Sequence, residues 1–579
     1  MAERQSPDAV VVGIVGSRLR SILNEQQAAL INTAFSPVVR ESFDLACAVF
    51  DSRGEMIGQS DGGTPGHINA MATGMHHIVA KYNGHRLRPG DVVITNDPWM
   101  TSGQINDITI ATPVFQREQM IGWFASCCHS PDIGGRVLSA QATEVFEEGL
   151  RLPIMLLLEQ GTINPVLEAI IRANVRTPDE TIGDLYAQVA GNDVGARRLV
   201  ELLDEFGLAG IDTVATAIID RSEAALREAI RAVPDGVYEA ESTADGYGAE
   251  PVTLRLAVTI DDDAITLDYD GSSPQSPYGI NVVYNYTRAY SSFAIKAAFA
   301  PEVPHNAGSF RPVTVTAPDG CVLNCREPAP VAARHLVGHF LPSLIFAALQ
   351  PAMHGKLLAY SSDGVWLTVA GGVFPKSGVP FTYTMFQAGG MGARAVKDGL
   401  SSTGFPGGLR VIPTEVTESL TPPVQRRREL ATDSGGPGRW RGGLGQDSEF
   451  ECQTDQPWSA VANGDRIVSP ARGTAGGEPG RRGQITTDGG ERLPSKQRSV
   501  LQPTDRLQFV LPGGGGYGPP HERDIDDVLD DVVNGYCSLD QARSAYGVVI
   551  EYVGDPDARV RPPSSYRIDH DATARLRQT

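Results

Sequence analysis

Cysteines are scarce in this sequence, and none of them is paired in a binding motif. The chain has seven cysteines in 579 residues and contains no Cys-x-x-Cys motif. Disulfide frameworks of small secreted domains use an even number of closely spaced cysteines, and cysteine-type zinc sites use such pairs. The sequence therefore indicates neither a disulfide framework nor a cysteine-type zinc site.

Long apolar runs are also missing. The most hydrophobic stretch, residues 336–349, contains His339 and Pro342, and it is shorter than the roughly 20 apolar residues that a membrane-spanning helix needs. The apolar run at residues 9–15 is short for a secretory signal peptide and has no cleavage site after it. We therefore expect a soluble, cytoplasmic protein.

Basic residues are outnumbered by acidic ones, 49 to 69, so the formal net charge is −20. Nucleic acids are bound through basic surfaces that neutralise their phosphates, so we expect no nucleic acid partner. The composition is 41% hydrophobic and 20% charged, which is typical of a folded globular protein. A length of 579 residues exceeds one ordinary domain, so several packed units are expected.

Periodicity predicts a mixed α/β (α+β), multidomain fold. The predicted elements are a helix at 10–30, strands at 45–50, 91–95 and 120–126, helical segments within 179–233, a hairpin over 252–269, an apolar helix at 336–349 and a capped helix after Ser538. We expect an N-terminal site-bearing unit with the helical segment (1–240), a β-rich middle unit (241–380) and a Gly-rich mixed C-terminal unit (381–579). The first boundary follows Pro234-Asp-Gly236, where helical spacing gives way to strict alternation.

Polar side chains are concentrated beside the predicted strands of the first 150 residues. They lie in the segments 40–44, 66–69, 96–107 and 128–135, which are rich in Asp, Asn, His and Gly. Aspartate oxygens and a histidine nitrogen suit a divalent ion, which could polarise a carbonyl or acidify a bound water. The structural alternative is that each aspartate caps a turn and His129 is hydrogen-bonded at a strand end. Composition alone favours that alternative.

Other motifs have weaker signals. Gly513–Gly516 could approach a phosphate but lacks the Lys-Ser/Thr of a P-loop, so a turn is favoured. Gly435–Gly445 could hold an anion through its two arginines or form a tight turn packed by Trp440. His335 and His339 have metal-ligand spacing but no carboxylate nearby in sequence, which favours a structural role. No Ser/His/Asp or Cys/His nucleophile signature is recognisable.

The same polar segments resemble the hydantoinase B/oxoprolinase family. The matching strings are RESFDLACAVFD (40–51), GDVVITNDPW (90–99), HSPDIGG (129–135), EEGLRLP (147–153), GSFRPVTVTAPDG (308–320), GGMGAR (389–394), PTEVTES (413–419), DSGGPGRWRGGLG (433–445) and PGGGGYGPPHERD (512–524). They occur in the family's order and extend over residues 10 to 550. The resemblance implies a hydantoinase B-like fold.

The resemblance also implies an activity and a partner. Members form one subunit of an ATP-dependent hetero-oligomer, in which a hydantoinase A-type partner subunit holds the nucleotide and phosphorylates an unreactive oxygen of a small-molecule substrate. One branch opens cyclic amides, as N-methylhydantoinases, oxoprolinases and caprolactamase do. The other branch contains the biotin-independent acetone and acetophenone carboxylases. A chain without its own phosphate-binding loop is consistent with either branch.

Carried over by position, the family's metal site implies a Mn, Zn or Mg ion. Its ligands and catalytic groups are Asp44, Asp107 and His129, with Gln104 in the first position of the family's His-x-x-Asp motif. Residues expected to orient these ligands are Asn96, Asp97, Asp132 and His67. Gln104 and Gly63 depart from the family, whose members often have histidine at both positions. A glutamine oxygen is a weaker ligand than imidazole and disfavours zinc relative to harder ions.

Three functions remain open at this point. The first is a hydrolase subunit that opens a lactam or hydantoin with ATP, and the second is a subunit of a carboxylase. The third is a metal-free scaffold that serves as an assembly partner, which the Gln104 and Gly63 departures keep possible. The sequence places the hydrolase only slightly ahead of the carboxylase, and a test of dependence on bicarbonate would separate the two.

Overall fold

The computed structural model describes residues 8–83, 87–136, 138–248 and 250–578. The chain divides into two units. The first comprises the described residues of Met1–Glu241, Thr253–Ile345 and Gly407–Ile412, and the second those of Ser242–Val252, Phe346–Pro406 and Pro413–Thr579. The three-unit division with boundaries near 240 and 380 stays a prediction.

The described residues form helices and strands in similar measure, which confirms the mixed α/β class. The helices are α1 (Ala9–Thr33), α2 (Pro37–Arg40), α3 (Pro65–Tyr82), α4 (Pro165–Asn174), α5 (Pro178–Glu205), α6 (Asp212–Arg231), α7 (Tyr284–Phe299), α8 (His335–Gly338), α9 (Leu341–Leu349), α10 (Thr414–Leu420), α11 (Ile525–Val533), α12 (Leu539–Ser544) and α13 (His570–Arg577). The strands are β1 (Leu45–Phe50), β2 (Met56–Gln59), β3 (Val92–Thr95), β4 (Asp107–Gln116), β5 (Gln119–His129), β6 (Met155–Glu159), β7 (Thr162–Ile163), β8 (Gly236–Tyr247), β9 (Glu250–Asp261), β10 (Ala264–Asp268), β11 (Val313–Thr316), β12 (Val365–Val373), β13 (Pro380–Ala388), β14 (Pro423–Leu430), β15 (Gln446–Cys452), β16 (Trp458–Asn463), β17 (Gln484–Thr487), β18 (Arg498–Leu501), β19 (Arg506–Val510), β20 (Ile550–Tyr552) and β21 (Tyr566–Ile568).

A seven-stranded antiparallel sheet, in the order β2-β1-β5-β4-β3-β6-β7, forms the centre of the first unit. All six residues of β1 are buried and apolar, as expected for a strand covered on both faces. Val49 packs with helices α1 and α5, whereas Ala48 and Phe50 pack with α3. Helices α1 and α5 therefore lie on one face of the sheet and α3 on the other.

The second unit contains two four-stranded sheets, β13-β12-β16-β18 and β14-β15-β19-β17, and the two-stranded sheet β20-β21. Its glycine-rich strings cross one another at backbone distance. All four backbone N–H groups of Gly513–Gly516 donate to carbonyl oxygens of other segments, at 2.8 to 3.1 Å. A Cβ on Gly514 would lie 2.2 Å from the Met391 carbonyl oxygen. The string is therefore a packed crossing, and its N–H groups are not available to a phosphate.

Most of the local predictions agree with the structure. Helix α1 spans the predicted 10–30, β1 has the predicted bounds, β9 and β10 form the predicted hairpin, and Ser538 caps α12. The predicted single helix at 336–349 is wrong, because α8 ends at Gly338 and α9 begins at Leu341. Pro342 lacks the N–H that a continuous helix would bond to the Gly338 carbonyl.

The seven cysteines are all free and buried. In the described part of the chain, no helix combines the length and the apolar character needed to cross a membrane. The cytoplasmic location stays a prediction.

Helix α5 lies so close to β5 that a side chain at Gly195 has no room. A Cβ at Gly195 would lie 2.4 Å from Phe124 Cδ1. We expect Gly195→Val to destabilise the protein by about 1–3 kcal/mol through overpacking, measured as a lower midpoint of urea unfolding. The control is Gly13→Ala at an exposed position of α1, where nothing lies within 4 Å of the added Cβ. This control should be neutral or stabilising by up to about 1 kcal/mol, and equal effects at the two positions would contradict the close packing.

Candidate active site

Three of the sequence-predicted site residues meet at the ends of adjacent strands. Asp107 begins β4 and His129 ends β5, and the two residues are directly paired across the antiparallel ladder. Asp44 immediately precedes β1, and its carbonyl accepts a hydrogen bond from the His129 N–H at 3.1 Å. Neighbouring antiparallel strands place the first residue of one strand beside the last residue of the other. Residues far apart in sequence therefore lie at the same edge of the sheet.

Helix α3 adds His67, which the sequence predicted only as a neighbour of the ligands. The Thr64 N–H bonds to the Leu45 carbonyl, so the helix starts beside β1. His67 Nε2 lies 2.9 Å from Asp107 Oδ2, while its Nδ1 lies 3.5 Å from Asp44 Oδ1 and has no hydrogen-bond partner among the described residues. His67 therefore connects the two carboxylates but keeps one polar atom open.

Gln104 approaches the same carboxylate through its amide nitrogen. Gln104 Nε2 donates to Asp107 Oδ1 at 2.7 Å and lies 3.1 Å from His129 Nδ1. His129 Nδ1 is itself 2.9 Å from Asp107 Oδ1. Gln104 Oε1 is buried and, within the described part of the chain, has no hydrogen-bond partner. It is the second open polar atom of the cluster.

Arg334 completes the cluster, and no sequence pattern had indicated it. Its guanidinium forms an ion pair with Asp107, and its Nε donates to the Ser102 carbonyl at 2.6 Å. The guanidinium carbon also lies 4.0 Å from the centre of the Tyr286 ring, a cation–π distance. Asp107 is 0% and Arg334 is 2% exposed, so this ion pair is excluded from water.

The electrostatics of the cluster depend on these buried neighbours. Burial alone would raise the pKa of Asp107, but His67, Arg334 and His129 outweigh it and hold that pKa well below its ordinary value. Burial would lower the pKa of His67, but Asp107 and Asp44 outweigh it and raise that pKa. Asp107 therefore stays ionised, and His67 favours its protonated form more than an ordinary histidine does.

Glu148 supports the segment that leads to Arg334. Its Oε1 accepts the backbone N–H groups of Val331 and Ala332 at 2.6 and 2.8 Å. Burial raises the pKa of Glu148 to about 8, although these hydrogen bonds oppose the shift. Glu148 lies in the EEGLRLP string. This string therefore supplies the carboxyl group that holds the backbone just before Arg334 through two hydrogen bonds.

His335, which begins α8, and His339, which follows that helix, are both buried beside the arginine. His339 Nε2 lies 2.9 Å from the Tyr290 hydroxyl and 3.3 Å from that of Tyr286. Burial, together with the charges of His339 and Arg334, holds the pKa of His335 well below its ordinary value. His335 therefore stays uncharged beside the cluster.

The remaining predicted residues hold the surrounding loops. The Asn96 side chain donates to the carbonyls of Ile105 and Leu150, which fixes the loop before Asp107. Asp97 is ion-paired with Arg151, and Asp132 with Arg176. Of the four residues predicted to orient the ligands, only His67 contacts Asp107 directly.

The residue types at this site suit a divalent ion, but their arrangement does not. Among the described residues, no three His, Cys, Asp or Glu side chains are placed as a metal-ligand set. Both oxygens of Asp107 already accept hydrogen bonds, and Arg334 supplies the positive charge. No chemical step is therefore assigned to a metal ion here.

Comparison with known proteins gives consistent matches over nearly the whole chain. A family model described as Hydantoinase B/oxoprolinase matches residues 8–520. The B component of a putative D-/L-hydantoinase of Pseudomonas sp. (strain NS671) is 29% identical over 99% of this chain and 98% of the relative. The caprolactamase beta subunit of Pseudomonas jessenii is 32% identical over 95% of this chain and 97% of the relative.

Two solved structures share the fold. The ATP-dependent caprolactamase from Pseudomonas jessenii has a TM-score of 0.89 at 28% identity, covering 99% of this chain and 100% of that chain. A nucleotide-free acetone carboxylase has a TM-score of 0.87 at 20% identity, covering 99% of this chain and 83% of that chain. These matches confirm the fold that the resemblance implied.

The Asp107–Arg334 pair gives a double-mutant prediction. We expect Arg334→Met to destabilise the protein by about 3–5 kcal/mol, because it removes the guanidinium that is ion-paired with a fully buried carboxylate. Adding Asp107→Asn should recover much of that loss, since the carboxylate charge is then gone as well. Urea unfolding of the two single variants and the double variant measures the coupling. Strictly additive losses would contradict the ion pair.

Proposed function

The chain belongs to the hydantoinase B/oxoprolinase family, and on that premise we propose that it is one subunit of an enzyme that opens a cyclic amide with ATP. Two relatives that match over nearly the full chain are named for a hydantoinase and for a caprolactamase. The observation that carries the proposal is the buried cluster around Asp107, which leaves two polar atoms open. The substrate class is a lactam or a hydantoin.

The two open atoms match the hydrogen-bonding groups of a ring amide. Gln104 Oε1 can only accept a hydrogen bond, and protonated His67 can donate one from Nδ1. In a lactam the ring N–H and C=O point to the same side, so one amide offers a donor and an acceptor together. Leaving both atoms unbonded in a buried site costs free energy that a bound amide would recover.

His67 is the group we assign to proton transfer. Asp107 holds the His67 ring through Nε2 at 2.9 Å and raises its pKa, which keeps a proton available at Nδ1. Once the partner has transferred a phosphoryl group from ATP to the amide oxygen, water adds to the carbon of that amide and loses a proton to solvent. The Nδ1 proton of His67 then passes to the ring nitrogen as the C–N bond breaks, and a second water hydrolyses the resulting acyl phosphate to a carboxylate and phosphate. Asp107 acts through His67 and is a positioning residue in this step.

The nucleotide is assigned to a partner. The two relatives are named as the B and the beta subunits of their enzymes, which supports a two-subunit enzyme, and we propose a hydantoinase A-type partner that holds ATP. Gly513–Gly516, the string that most resembled a phosphate loop, has all its N–H groups bonded within the chain. This supports placing the ATP site on the other subunit.

Carboxylation is not proposed, because the likeness to acetone carboxylase at 20% identity extends to the fold alone. The divalent ion implied by the resemblance stays a prediction. Asp44, Gln104, Asp107 and His129 are the residues that would hold it, after Arg334 had released Asp107.

The ring-opening proposal is tested by two variants with a control. We expect His67→Gln and Asp107→Asn to lower kcat for ATP-dependent lactam or hydantoin opening by about 10²–10⁴-fold, the usual contribution of a general acid. His77→Gln, at an exposed position of the same helix, should keep wild-type activity. The assay uses the complex with the nucleotide-binding partner and analyses products with and without bicarbonate. Full activity of His67→Gln would reject the assignment, and a bicarbonate-dependent product would indicate a carboxylase.

The metal prediction is tested by restoring the family's histidine. We expect Gln104→His to raise Zn²⁺ affinity at least about tenfold, since imidazole is the better ligand. Mass spectrometry of purified wild type, Gln104→His and Gln104→His/Asp107→Asn gives the metal content of each. A higher metal content in Gln104→His than in the wild type, and its loss in the double variant, would place the ion at Asp107. Equal metal content in all three would place any ion elsewhere.

A further inference from the structure

A basic cavity lies in the second unit. It has a volume of about 420 Å³ and is lined by nine residues, three of which are arginines and none of which is acidic. Arg466 is buried in its wall, whereas Arg472 and Arg482 are exposed. In a chain with a net charge of −20, three arginines around one cavity are a strong local concentration of positive charge.

The wall of the cavity is rigid around Arg466. The Arg466 guanidinium forms a buried ion pair with Asp363, and its backbone N–H donates to the Asp465 carboxylate at 2.8 Å. Its φ of +62° is one that non-glycine residues rarely adopt, and these bonds hold it there. The direction of this arginine is therefore set before any ligand binds.

Two aspartates near the cavity, Asp245 and Asp465, are already bonded to other groups of the protein. The Asp245 carboxylate accepts three successive backbone N–H groups, those of residues 467–469, at 2.6, 3.1 and 2.9 Å. Asp465 is paired with Lys496 at 2.8 Å. Arg482 forms no ion pair with any residue that the structure describes. The charge of Arg482 is therefore not cancelled by an acidic residue that the structure describes.

The two segments that carry the arginines are tied together through their backbones. The Gly480 N–H donates to the Ala471 carbonyl at 2.9 Å, and the Gly483 N–H donates to the Arg466 carbonyl at 3.0 Å. The backbone segments that carry the three arginines are consequently held together before a ligand binds, which reduces the conformational entropy that the protein loses on binding.

We propose that this cavity binds a small phosphate-type anion with two or more negative charges, such as a diphosphate. Guanidinium forks bind phosphate oxygens in pairs, and the Thr243 and Ser469 hydroxyls at the same cavity add neutral donors. A singly charged carboxylate offers these guanidinium groups less negative charge and fewer oxygen atoms than a diphosphate does. A volume of about 420 Å³ suits a small molecule and not a polymer. This inference is independent of the ring-opening proposal.

Calorimetric titration of the full chain with pyrophosphate tests the inference. We expect binding with a Kd below about 1 mM in the wild type, weakening as salt is raised. Replacing exposed arginines in the Arg472→Gln/Arg482→Gln variant should weaken it by about tenfold or more for each arginine. Acetate should not bind measurably.

The chain offers a matched control one residue away. Arg481→Gln removes the same charge from an exposed position that does not line the cavity, and it should bind pyrophosphate as the wild type does. Absence of binding by the wild type would overturn the proposal, as would equal weakening in Arg481→Gln, which would indicate a general surface-charge effect. Thermal unfolding checks that each variant is folded, and the single Arg482→Gln variant carries the test if the double variant unfolds.

Discussion

The buried ion pair between Asp107 and Arg334 is the interaction on which the candidate active site depends. Both side chains are buried away from water, so each charge stabilises the other where solvent does not. With Asp107 held ionised, its two oxygens orient His67 and His129, one at each side. The orientation of both imidazole rings therefore depends on the arginine, which acts on them through the Asp107 carboxylate. In such a low-dielectric environment, fixed charges act more strongly than they would in solvent.

Much of this site was predictable, and the part that was not has a physical reason. Asp44, Asp107 and His129 lie in strings that resemble a family, and β1 and α1 follow from the spacing of nearby apolar residues. Arg334 lies 227 positions from Asp107 and has no motif of its own, so only tertiary packing reveals the pair. His67 was predicted as a neighbour because a histidine in the first turn of a helix gives no sign of which carboxylate its ring reaches.

The glycine-rich strings show a different limit of sequence interpretation. Periodicity analysis follows where side chains point, whereas Gly443 and Gly514 contribute by having none. The Gly514 N–H reaches the Gly443 carbonyl at 3.0 Å, and any Cβ on either residue would collide with a neighbouring backbone. The sequence of Gly513–Gly516 suggested a turn or a phosphate-binding loop. In the structure it is instead a segment whose backbone packs tightly against other backbone segments. The cavity arginines were missed because they lie apart in sequence and are brought together by backbone hydrogen bonds of Gly480 and Gly483.

The hairpin of β4 and β5 also limits where residues can be inserted into or deleted from this chain. Its arms run from the Asp107–His129 pair to Gln116 and Gln119, joined by a two-residue turn. Adding or deleting one residue in either arm would move every side chain between the change and the strand end to the opposite face of the sheet. One of the two site residues would then point into a helix-covered face. In-frame insertions should therefore accumulate in the loops of related sequences, while these two arms keep a constant length.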